Sequence, residues 1–443
     1  MQARRRRVFP IFLFTVASQR EAKSWHGRLR HDHRGWKVGE VAEIADTAVS
    51  PRASVDDATR ALVSATRAGA PAPLADIPRA AWRALAARAI EPNGYYLPEW
   101  ERAVNASARD RVGASALGAW SDATGLIGLM PVVSMWRAYR IPLPALVSAD
   151  PYGTLRTPLL DRDWAKEAAA MILQKARDAG AHALILRDVT LYGVAMKAFG
   201  EALRDGLRPC VLQSHLRACL DATRDADDLL HDALGAKKQK DLRRQRKRLA
   251  EHGAVHFEVA RTPREVATAI EAFMELEASG WKAKYGTALR QHAGDATFIR
   301  SATSALAESG QCEIVSLRAG ETKVAAAIVL RHQDRAYYFK LGVDERFAKF
   351  SPGVQLTLEL TRHLCADPAI AFADSTASPD HPMINPIWRG RLKIGDVLIP
   401  LQRTDPVLAL IHTTLRLRNV ASAQAKGALN FIRKQQEKSG RVP

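Results

Sequence analysis

Ser351, Pro352 and Gly353 are the residues whose types and order most clearly suggest chemistry, because they open an amphipathic segment, Val354–Leu364. Serine suits the N-cap of a helix, proline suits its first turn, and glycine lets another group approach the backbone. The unpaired N–H groups and the positive dipole end of such a helix attract phosphate. On these residues alone two interpretations stay open, a phosphate site and a well-capped helix that binds nothing.

The elements around this segment predict an α+β fold. Thr262 and Glu265 form a capping box that starts one helix, and a second helix is predicted from Ala296 to Ser309. Short polar turns separate the strands that follow, which favours hairpins. The predicted strands of this half are Gln311–Arg318, Lys323–Arg331, Arg335–Leu341, Ala369–Asp374 and Leu392–Ile399. Helices followed by antiparallel strands are typical of α+β rather than alternating βαβ architecture.

Several short motifs in this order resemble the GNAT acyltransferases, and most of all the CelD-like (cellulose-biosynthesis-associated) branch that is related to Fem-type peptidyl transferases. The resemblance covers roughly residues 240–400. The motifs that carry it are Leu242–Leu249 with Gly253, Gly280-Trp281-Lys282, Gly286-Thr287-Ala288, Val324-Ala325-Ala326, Phe339-Lys340-Leu341-Gly342, Asp344-Glu345 and Phe350-Ser351-Pro352-Gly353.

The resemblance implies an acyl-CoA donor, acetyl-CoA or a longer acyl-CoA, and no metal. An acceptor amine would attack the thioester directly, so that the protein aligns the reactants and removes a proton. The edge of the strand Tyr337–Leu341 would pair with the amide-bearing arm of the donor, and the helix start would receive its phosphates. The donor-binding residues implied are Phe339, Lys340, Leu341, Gly342, Ser351, Pro352, Gly353, Val354 and Gln355.

The same resemblance directs attention to four candidates for the general base, which are Asp374, His381, Asp344 and Glu345. An unperturbed imidazole titrates near neutral pH, which favours His381. The alternative is that Asp344 and Glu345 form a solvated elbow while Asp374 and His381 cap loops. The implied substrate contacts are Trp281, Lys282 and Tyr338.

A chain of 443 residues exceeds what one core usually supports, so two domains are expected. Residues 95–220 show a similar succession of strands and helices, which predicts two tandem GNAT-like domains, each a mixed, mostly antiparallel sheet flanked by helices. The first half has no Ser-Pro-Gly equivalent, so we expect the donor in the second half. The predicted divisions are a poorly ordered basic extension (1–90), a first domain (91–225), a basic linker helix (226–252), the donor-binding domain (253–402) and a helical tail (403–443).

The net charge of +18 is concentrated in two runs, residues 1–30 and 237–248, each with a net charge of +7. A protein that grips a nucleic-acid duplex along a whole face should spread its charge more widely. Residues 237–248 predict a short helix. Its cations either contact the first domain or an anionic acceptor, or they bind RNA or an anionic membrane surface.

No segment has the run of apolar residues that a membrane-spanning helix needs, and the four cysteines show no metal or redox spacing. A cytoplasmic location is the simplest expectation.

Three functions stay open: an acyl-CoA-dependent N-acyltransferase acting on a small-molecule or glycan-linked amine, a Fem-type transferase that uses aminoacyl-tRNA, and a non-catalytic binding protein on a decayed GNAT fold. Neither the acceptor nor the oligomeric state can be predicted from these residues.

Overall fold

A computed structural model of the chain describes residues 71–109, 113–149, 152–204, 206–280, 286–403 and 405–439. These residues belong to one compact unit, Ala53–Pro443. They form a 13-stranded, mostly antiparallel sheet with helices packed against it, which confirms the predicted α+β class. None of the helices in these ranges is both long enough and apolar enough to cross a membrane.

The strands range in length from two to twelve residues. They are β1 (Ala72–Pro73), β2 (Ser115–Ser121), β3 (Gly125–Ser134), β4 (Ala145–Ser148), β5 (Leu159–Leu160), β6 (Ala183–Thr190), β7 (Cys210–Asp221), β8 (Val255–Ala260), β9 (Cys312–Ala319), β10 (Thr322–His332), β11 (Arg335–Val343), β12 (Phe372–Asp374) and β13 (Gly390–Pro400).

The α-helices lie between these strands and after the last one. They are α1 (Arg79–Arg88), α2 (Pro98–Ser107), α3 (Met135–Tyr139), α4 (Ala165–Asp178), α5 (Val194–Ala202), α6 (Ala226–Leu249), α7 (Pro263–Ser279), α8 (Ala293–Glu308), α9 (Pro352–Cys365) and α10 (Pro406–Ser439). Helix α7 begins with the predicted capping box, and α6 is kinked at Gly235.

The sheet repeats one pattern of pairing in its two halves. In the first half β2, β3 and β4 are antiparallel and β4 then pairs in parallel with β6 across helix α4. In the second half β9, β10 and β11 are antiparallel and β11 pairs in parallel with β12 across helix α9. This repeated order of strands and crossover helices is what two tandem copies of one fold produce.

The last strand of each half pairs with the other half. Strand β7 follows the first half but lies beside β12, and β13 follows the second half but lies beside β6. The two exchanged strands also pair with each other, so the sheet is continuous through its centre. Strand β7 pairs with β13 from Cys210 to Cys219 and with β12 from Cys219 to Asp221.

Residues near the N-terminal end of the described chain pack against the second half. Within the predicted extension 1–90, residues 71–90 belong to the fold, and the remainder lies outside the described residues. Aromatic side chains from both halves meet edge to face: the Trp100 ring lies 5.0 Å from Phe298 and 4.8 Å from Phe339, and Tyr95 lies 5.7 Å from Tyr337. Such pairs stabilise a core beyond the area they bury, and here they join the halves.

His332, the last residue of β10, adds a buried polar contact between the halves. Its Nδ1 accepts a hydrogen bond from the backbone N–H of Asn93 at 2.9 Å, and its Nε2–H donates to the carbonyl of Ala86 at 2.9 Å. The imidazole is only 2% exposed, and this burial lowers the pKa of His332. The folded protein therefore holds this ring neutral.

We predict that the free energy of unfolding falls as the pH drops below about 6.5, the pKa of an unperturbed histidine. Between that value and the lowered pKa of His332, the unfolded chain binds more protons than the folded protein, so acid favours unfolding. His332→Gln retains one acceptor and one donor without titrating, so urea unfolding between pH 5 and pH 7.5 should show a flatter acid slope.

His256→Gln is the matched control because His256 is exposed on the edge strand β8, and it should leave the slope unchanged. Burial also lowers the pKa of His215 and His381, so His332→Gln should reduce the slope without abolishing it. An acid slope identical in His332→Gln and in the unsubstituted protein would contradict the assignment.

Candidate functional site

The two parallel strands of the second half separate after a short contact. Strand β12 pairs with β11 only from Arg335 to Tyr337. Tyr338 lies opposite Val329 and Lys340 opposite Ile328, so Phe339 is an extra residue in β11 and forms a β-bulge. A bulge bends its strand and increases its twist, which directs the end of β11 away from β12.

A cleft of about 410 Å³ occupies the space between the separated strands. The end of α7, the outer part of β11 and the segment that follows β12 line it. The lining residues are Leu276, Glu277, Gly280, Tyr338, Phe339, Lys340, Leu341, Gly342, Val343, Glu345, Ser375, Thr376, Ala377, His381, Met383 and Ile384. The structure therefore brings three sets of predicted site residues together in one cleft: Tyr338–Gly342, Glu345 and His381.

A buried ion pair forms part of the cleft wall. Glu277 Oε1 lies 3.1 Å from Lys340 Nζ, and Glu277 Oε2 accepts a hydrogen bond from the backbone N–H of Leu289 at 2.9 Å. The Glu277 side chain has no exposed surface. Sequence reasoning missed this residue, although a signal existed: Glu277 continues the apolar stripe of Ile270 and Phe273 on α7, where a carboxylate needs a partner.

Asp374 does not line the cleft. Its side chain is 1% exposed, its Oδ2 lies 3.0 Å from Arg217 Nη1, and its Oδ1 accepts the Thr376 backbone N–H at 2.7 Å. Because both carboxylate oxygens are engaged, proton transfer from a substrate amine would first require this buried network to open. The geometry gives Asp374 a structural contact and no access to a reacting group in the cleft.

Asp344 and Glu345 are adjacent in sequence but occupy different environments. Asp344 is buried, its Oδ1 accepts the Arg346 backbone N–H at 3.0 Å, and its Oδ2 lies 2.7 Å from Arg346 Nη2. The Arg346 guanidinium hydrogen bond holds the pKa of Asp344 below its usual range. Glu345 is exposed at the mouth of the cleft, close to Gly280.

His381 lines the cleft from the loop after β12. Its Nδ1 accepts a hydrogen bond from the backbone N–H of Met383 at 3.3 Å, and burial lowers its pKa. A neutral ring that accepts at Nδ1 carries its proton on Nε2. His381 is therefore arranged as a hydrogen-bond donor through Nε2, whereas its acceptor nitrogen already has a partner.

Tyr338 contributes its backbone rather than its phenol to the cleft. The Tyr338 hydroxyl contacts Thr357 Oγ1 at 3.2 Å on the α9 side, and burial raises its pKa to about 12. The Tyr338 carbonyl accepts a hydrogen bond from Thr376 Oγ1 at 2.6 Å. The Phe339 ring packs into the aromatic core against Trp100, so its backbone too is the part available to a ligand.

The start of α9 adjoins the cleft but does not line it. Ser351 has left-handed backbone angles (φ 52°, ψ 52°), and its side chain makes no capping hydrogen bond. The first backbone bond of the helix runs from Gln355 N–H to the Ser351 carbonyl, so the N–H groups of Gly353 and Val354 precede it. Pro352 and Gly353 are buried.

Side chains around this helix start are of two kinds. A Cβ at Gly353 would lie 3.0 Å from Leu341 and 3.3 Å from Val343, two residues that also line the cleft. The short helical segment just before α9 carries Arg346 and Lys349, both exposed. Gln355 faces elsewhere: its side-chain amide donates to the Leu242 carbonyl at 2.9 Å.

Two predicted substrate contacts, Trp281 and Lys282, lie outside the described residues, so their roles stay predictions. Among the residues that the structure describes, no group of three or more histidine, cysteine, aspartate or glutamate side chains is placed to hold a metal ion.

Residues 236–376 match a family model described as "Acetyltransferase (GNAT) domain". The match covers about a third of the chain and spans β8 to β12, which contribute most of the cleft lining, whereas His381, Met383 and Ile384 lie beyond it. No curated protein matches the sequence.

Several solved structures are similar to the chain at low identity. The C-terminal domain (DUF2156) of a putative lysylphosphatidylglycerol synthetase from Agrobacterium fabrum is 14% identical over 76% of this chain and 96% of that one, with a TM-score of 0.48. FemX is 12% identical over 76% and 98% of the two chains, with a TM-score of 0.48. A tandem GNAT protein from the clavulanic acid biosynthesis pathway is 14% identical over 76% and 99%, with a TM-score of 0.35. No substrate follows from these similarities.

We predict that Gly342→Ala destabilises the fold and distorts the cleft. A Cβ at this position would lie 2.9 Å from the backbone nitrogen of Glu277 and 3.2 Å from the Phe273 carbonyl, so β11 and α7 would have to move apart. Overpacking of this kind costs about 1–3 kcal/mol. Urea unfolding measures the loss.

Gly200→Ala is the control, because a Cβ there meets no atom within 4 Å and the residue lies inside helix α5. Alanine should stabilise this helix by up to about 1 kcal/mol relative to glycine. Equal effects of the two substitutions would show that the contact between β11 and α7 is not tight.

Proposed function

We propose that the protein is an N-acyltransferase that moves an acyl group, most simply acetyl, from acyl-CoA to an amine. The observation that carries the proposal is the cleft at the separated strands: beyond Tyr337 no described strand pairs with the β12 side of β11. A pantetheine arm carries amide groups and can pair with such an exposed strand edge as an added strand does. The match of residues 236–376 to a GNAT acetyltransferase domain supports acyl transfer.

The start of α9 would bind the phosphates of the donor. The N–H groups of Gly353 and Val354 and the positive end of the helix dipole favour an anion there. Arg346 and Lys349 add two cations beside the same turn, where they line a small surface pocket of about 210 Å³. Leu341 and Val343 separate this turn from the cleft, which suits a ligand with charged phosphates at one end and an apolar arm at the other.

The reaction requires one bond to form and one to break. The amine nitrogen attacks the thioester carbonyl carbon, the C–N bond forms, and the C–S bond breaks with release of the thiol of CoA. The proton lost by the nitrogen passes to a base and the departing sulfur gains one. Among the four predicted bases, Glu345 and His381 line the cleft. We assign proton removal to Glu345, and a hydrogen bond from Nε2–H to the thioester carbonyl oxygen to His381, which keeps its proton. CoA leaves as a thiolate, and the sulfur then takes up the proton that Glu345 removed or one from solvent.

The acceptor is proposed from the resemblance to CelD-like proteins, which favours a small-molecule or glycan-linked amine. The mouth of the cleft carries Glu345, and a carboxylate attracts an amine that arrives as its ammonium form.

One observation favours a second candidate, a transferase that takes its acyl group from aminoacyl-tRNA. Helix α6 presents seven exposed cations, and its eighth, Arg246, pairs with Glu359 at 2.9 Å. The exposed residues are Lys237, Lys238, Lys240, Arg243, Arg244, Lys247 and Arg248. An exposed cationic helix suits RNA or an anionic surface, and either contact would be weakened by salt.

Thermal-shift measurements with acetyl-CoA, longer acyl-CoAs, free CoA and tRNA should distinguish these functions. We expect acyl-CoA and CoA to raise the unfolding temperature in a concentration-dependent way, because a ligand that binds the folded state stabilises it. Stabilisation by tRNA alone would favour the second candidate. If no ligand stabilises the protein, the non-catalytic alternative gains support.

We further predict that Glu345→Gln lowers kcat by about 10²- to 10⁴-fold while the KM for the donor changes little, because it removes only a proton acceptor. Glu251→Gln makes the same chemical change at an exposed residue outside the cleft and should have no effect. Steady-state kinetics with a primary amine acceptor measure both. An unchanged kcat in Glu345→Gln would exclude this residue as the base.

A further inference from the structure

We propose that Arg217 is a positioning residue for the cleft, although it belongs to the first half of the chain. It is carried by β7, the exchanged strand that pairs with β12. This inference rests on the proposed function, because the cleft that Arg217 supports is the one assigned to the acyl donor. Through Arg217, the first half of the chain would hold the wall of the cleft that lies in the second half.

Arg217 is buried at the junction of the two halves. Its side chain is 3% exposed, Nη1 lies 3.0 Å from Asp374 Oδ2, and Nη2 donates to the Thr154 carbonyl at 2.8 Å. Asp374 is paired with Cys219 in the ladder between β12 and β7, so Arg217, two residues away, lies on the same face of β7 as Cys219. One guanidinium thus contacts the end of β12 and a carbonyl of the first half.

From Asp374 the contacts continue to the cleft. The second carboxylate oxygen accepts the N–H of Thr376, whose φ is +52°, and Thr376 Oγ1 donates to the Tyr338 carbonyl at 2.6 Å. A β-branched residue rarely adopts positive φ without surrounding contacts that hold it there. Because Ser375, Thr376 and Tyr338 all line the cleft, Arg217 secures its wall through Asp374.

Stability alone does not account for this arrangement. A buried ion pair loses much of its Coulombic gain to desolvation, and apolar residues of the same volume often stabilise a fold equally well. Here the cost is greater because Arg217 Nε is buried and has no hydrogen-bond partner among the described residues. What the guanidinium provides that an apolar residue cannot is a fixed orientation of Asp374, and through it of Thr376.

The first half contains a counterpart of this arrangement with a different outcome. Asp396 on β13, the other exchanged strand, accepts the N–H of Asp188 at 2.9 Å, and Asp188 also has positive φ (+46°). There, however, the buried Arg156 pairs with the Asp188 carboxylate. In the first half the residue with positive φ is therefore itself paired with an arginine, whereas in the second half Thr376 lines the cleft.

The test compares Arg217→Met and Arg217→Lys with Arg331→Met. Arg331 lies on β10 in the second half, is 16% exposed and pairs with Asp367 at 2.6 Å, but it does not line the cleft. Both methionine variants should lose stability. Only Arg217→Met should lower kcat/KM for the donor, by about 10- to 100-fold, with a raised KM, because misplacement of a binding wall weakens alignment. Arg217→Lys should fall between, since it retains the charge but only a single contact.

Amide hydrogen exchange on the ligand-free proteins gives a readout that does not require activity. Arg217→Met should speed exchange in residues 338–343 and 372–384, and Arg331→Met should not. If Arg217→Met does not fold, the same kinetic and hydrogen-exchange measurements on Arg217→Lys test the proposal. Unchanged exchange and an unchanged KM in a folded Arg217 variant would overturn the proposal. If the unsubstituted protein neither binds nor transfers acyl groups, the proposed function fails, while the exchange pattern still decides whether Arg217 positions the wall.

Discussion

The exchange of β7 and β13 between the two halves is the constraint on which the rest of the structure depends. Each exchanged strand pairs with the strand that follows the crossover helix of the other half, so neither half completes its own sheet. Backbone hydrogen bonds in a sheet interior cannot be left unmade without a large desolvation penalty. The halves therefore fold against each other, and the position of β12 depends on residues contributed by the first half.

This dependence explains how the cleft remains open in a well-packed protein. Apolar packing would favour closing the space between β11 and β12. The bulge at Phe339 turns β11 away on one side, and on the other the contacts of Asp374 hold Thr376 in a conformation that ends the pairing. The same geometry places the carboxylates in different environments. Glu277 is buried against Lys340 and Asp374 against Arg217, whereas Glu345 lies at the mouth of the cleft.

Local features of the sequence were sufficient to predict most elements. The hairpins β9–β10 and β10–β11 follow from short polar turns between apolar runs, and the start of α7 from its capping box. The two-fold repetition of the strand order was also visible as a pattern. The site was only partly predictable: the segment Phe339–Gly342, Glu345 and His381 do meet in one cleft, because they lie on neighbouring elements of one half.

What could not be predicted depends on contacts between distant residues. Asp374 ends a strand beside the cleft and so suggests a base, but Arg217, 157 residues earlier in the chain, engages it. The strand exchange that brings Arg217 and Asp374 together leaves no local signal in the sequence. The residue patterns of β7 and β13 indicate strands but not which strands they pair with. Glu277, unlike Asp374, could have been recognised from the sequence, because a carboxylate on the apolar stripe of α7 predicts a buried partner. That partner is Lys340.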